Sequence, residues 1–279
     1  SHGRSRWARG RDLRALKRAG SGDGIVLGWL GHQLLTSPAE DNVLAFGVQR
    51  SGKTSTLVVP TLLEWQGAAL ATSTKEELVL LTGRHRARRC EVLVFAPLDA
   101  SQGWVENLGL QPVAWNPLRE VDNAGAAAEL ADHFTALGKD SGSAHWYLSA
   151  ANLLTALFLH QARVGGDLRT VLTRLNETAP RGYLALAVQA EGTAREILRG
   201  IGNTPEREAG SIASTARSSL SLWLDERVAG ATSAETTPQL DLDRVLAEGL
   251  TVYLVAPAEE ADRCRPLFSA LIASLLRRA

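Results

Sequence analysis

The chain has 279 residues, of which 45% are hydrophobic, so it is long enough to bury a sizeable core. Thirty basic and thirty acidic side chains cancel at pH 7, and the overall charge therefore gives no reason to expect a nucleic-acid or membrane partner. Cys90 and Cys264 are the only cysteines and lie far apart, which excludes a disulfide framework or a cysteine-rich zinc site and suits a reducing compartment.

The first 23 residues form a basic N-terminal segment. Between Arg4 and Arg18 the sequence has seven Lys or Arg residues and one acid, Asp12. The pattern is typical of a solvated basic helix, which we favour, or of a helix lying near a membrane surface or a polyanion. The longest apolar runs of the chain fall short of the about eighteen residues that a membrane span needs.

The next part of the chain, residues 24–120, reads as alternating strands and helices. Residues 42–46 form a short apolar run that ends at Gly47, which predicts a buried parallel strand feeding a glycine loop. A helix is predicted over residues 54–65, kinked or shortened by Pro60, with three leucines facing inward: Leu57, Leu62 and Leu63. A strand over 68–72, a helix over 75–81 and a strand over 91–95 follow, an order typical of a mostly parallel sheet wound with helices.

Residues 121–225 lack strand patterns and are predicted to form an inserted all-α domain. One apolar stripe at helical spacing consists of Trp146, Ala150, Leu153, Leu154, Leu157 and Phe158. A second consists of Ile212, Ala216, Leu220, Trp223 and Leu224. We interpret both stripes as core. Residues 226–279 then resume the α/β domain, with a strand over 251–255, a turn at Pro257 and an amphipathic helix over 266–277.

The chemistry is carried by residues 47–54, which satisfy the pattern G-x-x-x-x-G-K-[ST] at every fixed position. The two glycines let successive backbone N–H groups converge on phosphate oxygens at a helix N-terminus. Lys53 is placed to reach the β- and γ-phosphates, and the Thr54 hydroxyl to bind Mg²⁺. The motif therefore predicts ATP and Mg²⁺ as cofactors, bound by Gly47, Gln49, Arg50, Ser51, Gly52, Lys53, Thr54 and Ser55.

Hydrolysis also requires an acid that holds Mg²⁺ at the end of a neighbouring strand and a residue that orients the attacking water. Glu259 and Glu260 follow the strand over 251–255, but they lie beyond the turn at Pro257 and are weak candidates. Glu77 is a third weak candidate, which we interpret as a helix-surface acid.

A basic cluster of four arginines, Arg84, Arg86, Arg88 and Arg89, connects a predicted helix to a predicted strand. Dense positive charge of this kind could contact a nucleic-acid backbone. Because no aromatic residue interleaves the cluster to stack on bases, we interpret it as a solvated connection.

With these motifs in place, the sequence from about Gly28 onward resembles the TraG/TraD-type coupling ATPases of conjugation and type IV secretion, in the form common in actinobacteria. The segments that carry the resemblance are 47–63, 72–78, 94–97, 115–118, 146–157 and 251–255. The resemblance implies a RecA-like P-loop NTPase domain with a mostly parallel sheet and an inserted all-α domain.

The sequence departs from the family pattern at two positions, because Ser73 and Ala96 stand where many members have Asp. The resemblance further implies that the Walker B strand, with its Asp-Glu pair, lies beyond the helix that ends near Ala279, and that membrane helices precede the basic segment. We therefore expect a soluble fragment of a motor anchored at the cytoplasmic face of the inner or plasma membrane.

The resemblance implies a homo-hexameric ring that uses ATP to deliver single-stranded DNA, or relaxosome or effector proteins, to the components of a secretion channel. For the chain itself we expect a monomer with weak nucleotide binding and little or no hydrolysis. Two alternatives stay open from the sequence: a small-molecule P-loop kinase, and a nucleotide-sensing cargo adaptor that does not hydrolyse ATP.

Overall fold

The computed structural model describes residues 9, 11–16, 24–48, 50–99, 103–139, 144–236 and 238–279. Most of the predicted basic segment and Gln49 of the glycine loop lie outside these residues. Within the described residues, no helix is both long and apolar enough to cross a bilayer.

The helices of the described residues are, in chain order, α1 (Val59–Glu64), α2 (Glu77–Arg86), α3 (Gly103–Asn107), α4 (Ala124–Lys139), α5 (Ala144–Arg163), α6 (Leu168–Glu177), α7 (Gly182–Gln189), α8 (Gly192–Asn203), α9 (Glu206–Ser219), α10 (Glu226–Ala231), α11 (Leu242–Ala247) and α12 (Ala261–Leu276). A π-helical turn, Thr54–Val58, runs directly into α1. The 3₁₀ turns are Arg14–Leu16, Pro117–Glu120 and Ser221–Leu224.

The central sheet consists of four parallel strands: β3 (Ala69–Ser73), β4 (Val92–Phe95), β5 (Gln111–Pro112) and β6 (Thr251–Val255). Their order is β3-β6-β4-β5, so the strand that comes last in the chain lies inside the sheet. Every residue of β6 is buried, as expected of an interior strand covered on both faces. The predicted α/β class with a parallel sheet is confirmed.

Alternating side chains of the strands enter two apolar cores. Val92 and Val94 of β4 pack with residues of α1 and α2 on one face of the sheet. Leu93 and Phe95 point to the other face, where α12 and the helical region cover them. The two faces thus have different neighbours, and the glycine loop belongs to the face covered by α1 and α2.

The helical region is organised around α5, whose buried residues include nearly the whole second half of the helix. Ala150, Leu153, Leu154, Leu157 and Phe158 of the predicted stripe are fully buried, and Trp146 is partly buried against them. The prediction of helices without strands over residues 121–225 is confirmed for the described residues. The predicted domain boundaries at residues 23, 120 and 225 stay predictions.

A hairpin not foreseen from the sequence precedes the glycine loop. It consists of two antiparallel strands, β1 (Val26–Leu30) and β2 (Gln33–Thr36). The backbone N–H of Val26 donates to Thr61 Oγ1 at 3.0 Å, which attaches the hairpin to α1. Trp29, at the exposed end, has 69% of its surface open to solvent.

The predicted strand over residues 42–46 was wrong. This run is irregular, and Leu44 and Phe46 have 79% and 88% of their surface exposed. An apolar run becomes a parallel strand only when a neighbouring strand supplies hydrogen-bond partners. Among the described residues, the run pairs with no strand.

Two further predictions of side-chain and helix position were wrong in detail. Leu224 is 71% exposed rather than buried, because α9 ends at Ser219 and a 3₁₀ turn changes the helical period. The last helix begins at Ala261, five residues earlier than predicted, and carries Pro266 inside it.

The prediction that the arginine cluster is solvated is correct for three of its four members. Arg84, Arg88 and Arg89 are exposed, whereas Arg86 has only 1% of its surface exposed. The prediction was wrong for Arg86 because α2 extends to that residue and turns it toward the sheet.

Asn116 joins the sheet to the helical region. Its side chain is 2% exposed, accepts from the Leu118 amide at 3.1 Å and donates to the Gly166 carbonyl at 2.9 Å. The backbone N–H of Asn116 donates to Gln239 Oε1 at 3.0 Å. One side chain therefore caps the turn Pro117–Glu120 and holds the loop between α5 and α6.

Candidate nucleotide-binding site

The glycine loop of residues 47–54 has the backbone conformations that a phosphate cradle needs. Arg50 and Gly52 have positive φ values of 63° and 83°, in the left-handed region that turns consecutive N–H groups to one side. A Cβ atom at Gly47 would lie 2.7 Å from Ser51 Oγ, closer than real Cβ atoms approach. The positive φ favours glycine at position 52, whereas at Gly47 the close atom is only the end of a flexible serine side chain. The turned N–H groups suit an anion such as a phosphate.

Lys53 lies folded across the loop. Its ammonium donates to the Gly47 carbonyl at 2.6 Å and to the Val48 carbonyl at 2.8 Å. The charge therefore sits among the residues whose N–H groups form the cradle. An ammonium held by uncharged carbonyl groups keeps its full positive charge for a phosphate group.

The first turn of the helix after the loop positions the hydroxyl groups. Thr54 is exposed at this turn. The hydroxyls of Ser55 and Thr56 donate to the Gly52 carbonyl at 3.0 and 2.8 Å, so both are used within the loop. Among the described residues, the Thr54 hydroxyl has no hydrogen-bond partner, and its role as the Mg²⁺ ligand stays a prediction.

The loop opens onto a cleft of about 490 Å³ at the carboxyl end of β3. One wall consists of residues 50–55, and the other of residues 73–75 together with Glu77, Leu78 and Leu81. Carboxyl ends of parallel strands are the usual edge for ligand binding in α/β sheets. Of the three weak acid candidates, Glu77 is the one that the structure brings to this cleft.

A second cleft, of about 660 Å³, adjoins the first and shares Thr74, Lys75 and Glu77 with it. It lies at the carboxyl ends of β4 and β6 and is lined by Glu259, Asp99 and Trp104 among others. Glu260 lies outside both clefts and forms an ion pair with Arg263. The described residues contain no group of three or more His, Cys, Asp or Glu side chains that could hold a metal ion.

Lys75 is a cleft residue that sequence reasoning passed over. It is the second residue after β3 and lines both clefts. Its position two residues past the strand was the available signal, since side chains there gather at the ligand-binding edge of the sheet. Lys53 and Lys75 together make the first cleft attractive to an anion.

The parallel sheet, the glycine loop and the helix that follows it define an α/β protein of the P-loop class. Comparison with known families gives the particular assignment. Residues 17–278 match the family described as Type IV secretory system Conjugative DNA transfer, and the chain belongs to it. The resemblance to TraG/TraD-type coupling proteins is thereby confirmed.

A curated relative is the Conjugal transfer protein TraG of Escherichia coli, 28% identical over an alignment of 322 residues that covers 99% of this chain and 48% of the relative. The chain thus spans about half the length of this relative.

Solved structures of the plasmid coupling protein TrwB are more distant. The complex with the non-hydrolysable GTP analogue GDPNP has 15% identity, a TM-score of 0.40 and coverage of 76% of this chain and 52% of that one. The complex with ADP and Mg²⁺ has 16% identity, a TM-score of 0.39 and coverage of 75% and 52%.

Proposed function

We propose that this chain is the nucleotide-binding part of a coupling ATPase, which uses ATP and Mg²⁺ to deliver DNA or protein substrates to a conjugation or type IV secretion channel. The observation that carries the proposal is the complete glycine loop opening onto a cleft at the carboxyl edge of the sheet. Membership of the conjugative DNA transfer family supports the coupling role. The family gives no support to the alternative of a small-molecule kinase.

The finer parts of the proposal rest on the resemblance. In the intact protein the ATPase would form a hexameric ring at the cytoplasmic face of the membrane and contact single-stranded DNA, relaxosome or effector proteins and channel components. Light scattering of the intact protein with MgATP tests the assembly. A monomer at all concentrations, together with full activity, would contradict the ring.

In the nucleotide site, Gly47, Arg50, Ser51 and Gly52 would cradle the phosphates, with Ser55 beside them. Gln49, predicted to join them, lies outside the described residues. Bound ATP would receive the Lys53 ammonium, and Thr54 would hold Mg²⁺ at the β- and γ-phosphates. Hydrogen bonds between an ammonium and an anion contribute more to the binding free energy than hydrogen bonds between neutral groups.

The test measures MgATP binding by titration calorimetry to the unaltered chain and to two matched lysine variants. Lys53→Ala is expected to weaken binding by about ten- to hundredfold. This is the loss expected when the hydrogen bonds from one charged group to the nucleotide are removed. Lys75→Ala removes the same charge from the opposite wall of the cleft and is expected to have a much smaller effect. Equal losses would mean that the cleft attracts anions generally and that the loop does not bind the nucleotide specifically.

Hydrolysis is tested separately by phosphate release. We propose that the chain turns over ATP slowly or not at all, because neither Glu77, the acid that lines the loop's cleft, nor Glu259 of the adjoining cleft follows a strand directly. Robust turnover that is lost in Glu77→Gln or Glu259→Gln would contradict this and would identify the acid. ATP binding without turnover, even in the intact oligomer, would favour the alternative of a nucleotide-sensing cargo adaptor.

A further inference from the structure

Arg86 is a buried guanidinium whose hydrogen-bond partners among the described residues carry no negative charge. It has 1% of its surface exposed. Its Nε donates to Thr251 Oγ1 at 2.9 Å, and its terminal nitrogens donate to three backbone carbonyls, those of Leu62, Trp65 and Gly67. A charge this deeply buried is retained only where every donor finds an acceptor, so the site around it is closely specified.

The three carbonyls lie at and beyond the C-terminal end of α1, the helix that begins at the glycine loop. The last carbonyls of a helix have no partner within it, and a cation near them interacts favourably with the helix dipole. His85 adds a contact to the Leu63 carbonyl at 3.2 Å. Two adjacent residues of α2 therefore hold the end of α1 opposite the phosphate cradle.

The helix after the loop has little rigidity of its own. It begins with the π-helical turn Thr54–Val58, continues for only six residues in α1 and contains Pro60, which lacks a backbone N–H. Its position relative to the rest of the fold must therefore come from outside contacts. Arg86 supplies the contacts at its C-terminal end.

Arg86 also occupies a particular place in the geometry of the cleft. The first residue of α2, Glu77, lines the wall that faces the glycine loop, and Arg86 is the last residue of the same helix. The partner on the sheet, Thr251, is the first residue of β6, whose last residue, Val255, lines the adjoining cleft. One guanidinium thus joins the helices of both cleft walls to the central strand, at the ends of these elements that lie away from the cleft.

We propose that Arg86 is a positioning residue for nucleotide binding: it fixes the glycine-loop helix against α2 and β6 so that the cradle faces Glu77 at a set distance. The inference rests on the proposed nucleotide-binding function. It assigns to Arg86 a role in binding that exceeds its contribution to folding, because the cradle has to be held to within a fraction of an ångström.

The test compares Arg86→Met, Arg86→Lys and Thr251→Val with a control, Leu267→Ala. Leu267 is fully buried in α12 on the opposite face of the sheet, so its truncation lowers stability without touching α1 or α2. Binding of Mg²⁺ and a fluorescent ATP analogue (mant-ATP) is measured at a temperature where circular dichroism shows all variants folded.

The Kd is expected to rise from the unaltered chain to Arg86→Lys and again to Arg86→Met. The Kd of the methionine variant should be at least about tenfold higher than that of the unaltered chain. Thr251→Val removes the link between Arg86 and β6, together with the contact of the Thr251 hydroxyl with Cys90 Sγ at 3.3 Å, and is expected to weaken binding by a smaller factor. If Arg86→Met does not fold, Thr251→Val tests the proposal in its place. Leu267→Ala is expected to bind as the unaltered chain does. Unchanged binding in the Arg86 and Thr251 variants, or an equal loss in Leu267→Ala, would overturn the proposal.

A second readout separates this inference from the proposed function. Amide hydrogen exchange over residues 53–64 is expected to speed up in Arg86→Met and to stay unchanged in Leu267→Ala, with no nucleotide present. If the unaltered chain failed to bind mant-ATP, the proposed function would fail while this exchange pattern could still hold. Unchanged exchange in Arg86→Met would overturn the positioning role whatever the nucleotide result.

Discussion

Replacing Asn116 with alanine is expected to destabilise the junction between the sheet and the helical region. The change removes the acceptor for the buried Leu118 amide and the donor for the half-buried Gly166 carbonyl. A buried amide left without a partner costs about 1–3 kcal/mol, and the loss of the second, wetter hydrogen bond costs about 0.5–1.5 kcal/mol. The free energy of unfolding should therefore fall by about 1.5–4.5 kcal/mol.

Two other variants make this number interpretable. Asn123 also accepts from a helix-start amide, that of Ala126 at 3.0 Å, but its side chain is exposed. Asn123→Ala should therefore cost only about 0.5–1 kcal/mol, as exposed caps do. Asn116→Asp keeps the acceptor for Leu118 but places a buried carboxylate against the Gly166 carbonyl, so at pH 7 it should be at least as unstable as Asn116→Ala.

The assay is urea denaturation followed by circular dichroism, with the slope of the transition compared among variants. A lower midpoint at unchanged slope reports a change in stability alone. An Asn116→Ala variant no less stable than Asn123→Ala would show that burial adds nothing to the hydrogen bonds of Asn116.

Two further predictions concern buried titratable groups. Burial, and then Arg174, lowers the pKa of His160 below its usual 6.5, so the unfolded chain takes up the proton first and stability falls as the pH drops below about 6.5. His160→Gln should flatten part of this decline in urea titrations, whereas a variant of the exposed His145 should not. Burial raises the pKa of the Cys264 thiol to about 11. In a Cys90→Ser background at pH 8, only about one thiol in a thousand is then ionised, and iodoacetamide should label the folded chain far more slowly than the unfolded one.

Each of these two predictions has a clear contrary result. An unchanged pH profile in His160→Gln would show that His160 does not contribute to the acid sensitivity of the fold. Labelling of Cys264 at the same rate in buffer and in urea would show that the thiol is accessible, contrary to its full burial in α12.

The features that sequence patterns predicted correctly are those fixed by local chemistry. The spacing of the glycine loop predicted a tight turn followed by a helix, which the structure has around Gly52, while the phosphate contacts of Gly47, Gly52 and Lys53 stay predictions. The buried stripe of α5 could be predicted because a helix repeats its inward face every three to four residues. The continuous apolar run of β6 likewise indicated an interior strand.

The features that were missed depend on neighbours remote in the sequence. Whether residues 42–46 form a strand depends on a hydrogen-bonding partner, which the run itself does not specify. Arg86 was grouped with a solvated cluster because the predicted helix stopped at residue 81. Continued at helical period, the same helix places Arg86 on the face of Leu78, Val79 and Thr82, and this signal was available.

The position of β6 inside the sheet has a consequence for how the chain is made. Ala69 pairs with Thr251, and Val92 pairs with the same residue from the other side, so the two earlier strands cannot complete their pairing until β6 is synthesised. At about 5–20 residues per second, a ribosome takes on the order of 8–30 s to make the intervening stretch after Phe95. During that time the helices of the insertion can form from local contacts, while β3 and β4 keep apolar faces and strand edges open. The order of elements along the chain therefore leaves the edges of β3 and β4 unpaired until β6 is made, and it delays the second cleft, which Val255 of β6 lines.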